Sequence, residues 1–190
     1  MPPFLQTGTF ALLLYIYFIV YYEKIENLIK SIVDKNSDSY LIFKKIKYSM
    51  HAYFKSYLII TVLLSFISSV AFALLNIEYF LIWGIIIGVT NIIPYVGPYI
   101  GGGVVGLFVL TTNPDLLIYV IIIIVCLQVI ESNFLTPKIQ GEALEINPIL
   151  VVFSVTFFGK ILGIIGMIIA VPIIRIMQII INVKFFNKKR

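Results

Sequence analysis

Long apolar runs with brief polar interruptions dominate this sequence, and their lengths predict helices that cross a bilayer. Residues 4–22 form one such run, close to the roughly 20 residues a spanning helix needs. A polar region follows at 23–57, with seven lysines and four acids. Apolar segments then recur at 57–75, 79–93, 104–110, 116–134 and 149–181. The last is apolar for 33 residues apart from Lys160, Arg175 and Gln178. A continuous helix of that length would reach about 50 Å, beyond a hydrocarbon core of roughly 30 Å. The glycines near Lys160 are the natural place for it to fold into a hairpin.

The polar region has its own periodicity. Ile42, Ile46, Met50, Tyr53 and Tyr57 recur at three- or four-residue spacing, while Lys44, Lys47, His51 and Lys55 form a second stripe. This pattern predicts an amphipathic helix over 38–57, with Ser37 or Asp38 at its N-cap. Such a helix lies on the membrane surface with Lys44, Lys47 and Lys55 toward the headgroups.

Composition agrees with the pattern. The chain has 190 residues, of which 61% are hydrophobic and 12% charged, with a mean hydropathy of +1.06. Soluble domains carry about 25% charged residues. Between Lys55 and Asp115 the only charged residue is Glu78. The fold class expected is all-α: a polytopic helical membrane protein with short or broken helices and a cytoplasmic amphipathic helix. The single cysteine, Cys126, excludes a disulfide framework within the chain and a cysteine-built metal site.

The net charge of +5 reflects lysines beside apolar segments, which points to membrane topology rather than nucleic acid. Lysine-rich 23–57 and 182–190 are expected in the cytoplasm, with the turns at 76–78 and 111–115 outside. The N-terminus then falls outside and the C-terminus inside. The first segment lacks the basic n-region and cleavage site of a secretory signal and reads as a span.

Two polar islands interrupt the apolar segments. In the first, NIIPYVGPYIGGG at 91–103, Pro94, Gly97 and Pro98 break the backbone, and Gly101 permits close helix approach. This is either a broken or re-entrant element at membrane depth or a tight cytoplasmic turn between short helices. Asn91 would hydrogen-bond freed backbone groups in both cases. The pairs Gly84/Gly88, Gly97/Gly101, Gly102/Gly106 and Gly159/Gly163 have GxxxG spacing, whose default reading is helix packing.

The second island begins at Gln128. Gln128 and Glu131, at i and i+3, share one helix face, with Asn133 nearer its end. A carboxylate there is a candidate for binding a cation or carrying a proton; the alternative is a structural cap or a pair with Lys138. Lys160 marks either the outer tip of a spanning hairpin or the mid-depth tip of a re-entrant one. Pro137, Pro148, Gly159, Gly163 and Pro172 are the remaining helix-break and gating candidates. No HExxH, GxSxG or P-loop motif occurs, and the lone His51 has no acid–base partner nearby. An enzyme is not expected, nor a cofactor.

Three ordered motifs carry a family resemblance: NIIPYVGPYIG at 91–101, QVIESNFLTPKIQG at 128–141 and INPILVVFSVTFFGKILGIIGMIIAVP at 146–172. In these the chain resembles the autoinducer-2 exporter family, also called the PerM-like permeases. Members usually have about eight spans, so the resemblance implies a C-terminal portion lacking the first three. Residues 102–105 lack a proline often found after the IPYxGP motif.

What the resemblance implies is a transporter of small solutes in the bacterial inner membrane, secondary or passive, forming homo-oligomers. The cargo it implies is an autoinducer-2-like signal or a cation exchanged for a proton. The expected partners are therefore the lipid bilayer, a small-molecule or ion substrate, and further copies of the chain. The expected organisation is a first span at 1–22, an amphipathic region at 23–57, a bundle at 58–182 and a basic tail at 183–190. The competing expectation is a structural or interaction subunit, for example sporulation-linked, or a non-functional partial transporter.

Overall fold

The computed structural model describes residues 37–140 and 146–186. The expected first span, the lysine-rich region before Ser37 and residues 187–190 of the tail lie outside the described residues. All the regular structure among the described residues is helical. Helix α1 spans Asp38–Leu74, α2 Phe80–Thr90, α3 Gly97–Thr112, α4 Leu117–Ile130, α5 Thr136–Gln140 and α6 Pro148–Ile181. Among the described residues, three segments are long and apolar enough to cross a membrane: Asp38–Leu74, Pro114–Gln140 and Pro148–Phe185. Helices α2 and α3 are apolar but shorter. The chain is thus an all-helical membrane protein with short and broken helices.

The amphipathic stretch and the following span form one unbroken helix. α1 starts where Ser37 Oγ accepts from the Tyr40 N–H at 3.3 Å, a side-chain cap. Its buried positions, Ser49, Tyr53, Ser56, Ile60, Leu64 and Phe72 among them, recur every three or four residues and trace a single stripe. Lys44, Lys47 and Lys55 are exposed.

Residues 46–181 form one compact unit, held by two apolar clusters. One joins Ile60, Leu64 and Phe72 of α1 to Ile87 of α2, Val105 and Val109 of α3, and Val120 and Leu127 of α4. The other joins Tyr53 and Ile93 to Val151, Val155, Ala170 and Val171 of α6.

Close approach of α1 and α2 depends on small residues. A Cβ at Gly84 would collide with Ser69, and one at Gly88 with Ser65 and the Thr61 carbonyl. The Ser68 hydroxyl, hydrogen-bonded within α1 to the Leu64 carbonyl, also reaches the Gly84 carbonyl at 3.3 Å. This is the packing that GxxxG spacing allows.

Prolines set the helix ends of the first hairpin. Pro94 lies in the turn after α2, and Pro98 sits in the first turn of α3, where its missing N–H costs nothing. The turn closes through Ile93 N–H to Thr90 O at 3.1 Å and Gly97 N–H to Ile93 O at 2.8 Å. Gly97 and Gly101 then pack so tightly on Thr90 and Ile87 that neither has room for a Cβ.

The second hairpin lies within α6. In a straight helix, residues eight apart stand about 12 Å from each other. Here a Cβ on Gly166 would strike the Phe158 carbonyl, and one on Gly159 the Met167 side chain. The fold-back occurs at Gly163, just past Lys160, with φ 62° and ψ −143°. Nothing crowds Gly163; only glycine adopts that backbone region readily. Pro148 opens the helix, and Asn147 Oδ1 caps it by accepting from the Ile149 N–H at 2.9 Å. Pro172 stays inside the second arm.

Candidate functional site

The segment from α4 to α5 is helical to Gln140 and changes its winding midway. Glu131–Leu135 is a π-helical turn, closed by the Thr136 N–H on the Glu131 carbonyl. Pro137 supplies the reason. Its ring has no N–H and clashes with the carbonyl four residues back in an α-helix, and a wider turn relieves the clash. Ser132 Oγ donates to the Gln128 carbonyl at 2.8 Å, and Asn133 Nδ2 to the Val129 carbonyl at 3.0 Å. Beyond Pro137 the Ile139 carbonyl is taken up by the buried Ser56 hydroxyl of α1 at 3.2 Å.

The π turn carries Glu131 to the tip of the α2–α3 hairpin. Asn91 is buried there, and its Nδ2 donates to Glu131 Oε1 at 2.7 Å. The carboxylate therefore meets an amide from the other polar island rather than Lys138. A charge-assisted bond of this kind between apolar helices fixes their register.

A cavity of about 690 Å³ opens beside this pair. The first motif contributes Asn91, Pro94, Tyr95, Pro98 and Tyr99 to its wall. The second contributes Gln128, Glu131, Ser132, Thr136, Pro137 and Gln140. Tyr53 and Tyr57 come from α1, and Ile146, Pro148, Val151 and Val171 from the last motif. A second cavity of about 20 Å³ shares Asn91, Pro98, Gln128 and Glu131 but is otherwise lined by Leu64, Ile87, Ile124 and Leu127. That is room for about one water. The Asn91–Glu131 pair thus borders both a wide chamber of mixed polarity and a narrow apolar one.

Several sequence candidates meet at this place and others do not. Asn91, Pro94, Pro98, Gln128, Glu131, Pro137 and Pro148 line the wide cavity. Gly97, Gly101, Gly159 and Gly163 shape the two hairpins that bear on it. Asn133 and Lys160 are exposed and line neither cavity. Among the described residues no group of three or more His, Cys, Asp or Glu side chains could hold a metal.

Sequence reading missed the tyrosines. Tyr53 and Tyr57 read as members of an apolar stripe, yet their rings, 4.5 Å apart, stand on the cavity wall. Tyr53 is only 4% exposed, and its hydroxyl has no hydrogen-bond partner among the described residues. A phenol within an otherwise aliphatic stripe was the available signal. Away from the cavity, Arg175 Nε donates to the buried Ser49 hydroxyl at 3.0 Å and ties the second arm of α6 to α1.

Comparison with known proteins places this geometry in a family. The model of the family described as AI-2E family transporter matches residues 4–185. "Putative transport protein YrrI" of Bacillus subtilis is 34% identical over 69% of this chain and 37% of its own length. "Putative transport protein YueF" of the same organism is 31% identical over 72% of the chain and 37% of its own length. "AI-2 transport protein TqsA" of Escherichia coli is 25% identical over 63% of the chain and 35% of its own length. The chain thus spans little more than a third of the length of these relatives.

Proposed function

Because the chain belongs to the AI-2E transporter family, we propose that it is a membrane permease whose small solute passes through the cavity at Asn91 and Glu131. The observation that carries this reading is the convergence of all three motifs on one chamber of about 690 Å³. That size lies in the range of small-molecule sites, roughly 300–1,000 Å³. Polar side chains at membrane depth line a path or bond helices together. The Asn91–Glu131 pair does both, since it joins two helical elements and faces two cavities.

The two hairpins supply the moving parts in this proposal. Helix α2 has 11 residues, about 16 Å of rise. It is too short to cross the hydrocarbon, and the turn after it brings Pro94, Tyr95 and Pro98 to the cavity wall. Gly163 gives the α6 hairpin its fold-back. Lys44, Lys47 and Lys55 hold the start of α1 at the headgroups of the bacterial inner membrane, and the C-terminus lies in the cytoplasm. Transport is secondary or passive, and the permease works as a homo-oligomer. The name of TqsA makes an autoinducer-2-like signal one candidate cargo; a cation exchanged for a proton is the other.

The test does not need the cargo. Ser132 lines the cavity, and Cys126 is the free cysteine to remove first. In a Cys126→Ser background, Ser132→Cys is exposed to a membrane-impermeant thiol reagent in spheroplasts and in inverted vesicles. A permease with alternating access reacts from both sides. Reaction from one side alone would favour a structural or interaction subunit.

A further inference from the structure

The chamber is set apart by its charge balance. Among the described residues, Glu131 is the one charged side chain on the wall, and no described Lys, Arg or His lines it. The Glu131 carboxylate accepts from the neutral amide of Asn91. A carboxylate facing a solute in a low-dielectric site is costly unless a positive charge compensates it. Four tyrosines, Tyr53, Tyr57, Tyr95 and Tyr99, stand on the same wall. Aromatic faces attract cations through the ring quadrupole, most strongly when the cation is weakly hydrated and organic.

We propose that this cavity, read as the transport path above, selects small organic ammonium cations, with the charged nitrogen at Glu131 among the tyrosines. The chamber is far larger than an inorganic ion. A hard cation would need six or more oxygen ligands drawn around it, whereas the wall offers mostly tyrosine rings, prolines and a few amides and hydroxyls. An anionic solute meets no positive side chain among the described residues and is repelled by Glu131. A neutral solute leaves the carboxylate uncompensated.

Choline is the probe, and 3,3-dimethylbutan-1-ol is its neutral carbon isostere of the same shape. Binding is measured by titration calorimetry on the full chain in detergent, with helical circular dichroism and gel-filtration elution as controls for folding. Choline is expected to bind saturably, and the isostere about tenfold or more weakly, a factor set by the single charge. Glu131→Gln is expected to lower choline affinity by a similar factor while leaving the isostere unchanged. Equal affinity for choline and the isostere on the wild-type chain would overturn the proposal, and so would no saturable choline binding. Neither result touches the permease reading, which stands or falls on two-sided labelling of residue 132.

Discussion

Asn91 Nδ2 and Glu131 Oε1 lie 2.7 Å apart, a hydrogen bond that joins the tip of the α2–α3 hairpin to the π turn after α4. Forty positions separate the two residues in sequence, and each belongs to a different motif. Hydrogen bonds between membrane helices couple by about 0.6 kcal/mol on average and up to about 1.7. A double-mutant cycle with Asn91→Ala and Glu131→Ala, read by thermal unfolding in detergent, should return a coupling energy in that range. Strict additivity would show that the bond does not hold the two elements together.

Gly84 and Gly88 should tolerate nothing larger. Valine at either position forces α2 away from Ser65 and Ser69, and overpacking of this kind costs about 1–3 kcal/mol. Gly103 is the control, since a Cβ there meets nothing within 4 Å. Gly103→Ala should be neutral, or stabilising by up to about 1 kcal/mol through helix propensity. Thermal midpoints of the three variants check the contrast.

Gly163→Ala makes a different prediction from Gly84→Val, because the site has space but an unfavourable backbone. At φ 62° and ψ −143° an alanine is strained by about 1–3 kcal/mol. The variant should therefore lose stability although no contact is created. A full-strength alanine variant would mean that the α6 fold-back does not use this conformation.

Lys160 and Asn133 are the candidates that stand off the cavity. Lys160→Ala and Asn133→Ala should change choline affinity by no more than about twofold, the range of surface substitutions. Gln128→Ala, on the cavity wall, should weaken it further. Calorimetry on the three variants distinguishes wall from surroundings. A Lys160→Ala effect as large as that of Glu131→Gln would move the path to the α6 hairpin.

Much of the fold was legible because bilayer chemistry writes it into the apolar pattern. The long apolar stretches, the break at 94–98 and the need for a turn near Lys160 all follow from hydrocarbon thickness and the backbone rules for proline and glycine. The Ser37 cap was equally readable from residue type. The site was legible in its parts. Asn91, Gln128 and Glu131 stood out because polar side chains are rare in such segments. The alternative of a Glu131–Lys138 pair failed because the π turn at Pro137 aims the carboxylate at Asn91 instead.

By itself, the sequence determined the class of the molecule, its helical breaks and the polar residues worth asking about, since each depends on local composition and backbone chemistry. Tertiary structure alone decided which of them share a cavity. It brought Tyr53 and Tyr57 to the wall of a chamber that also holds Glu131, and it left Lys160 and Asn133 outside. Those outcomes depend on the exact turn geometry at Gly163 and Pro137 and on how closely glycine lets helices approach, which no one-dimensional pattern encodes.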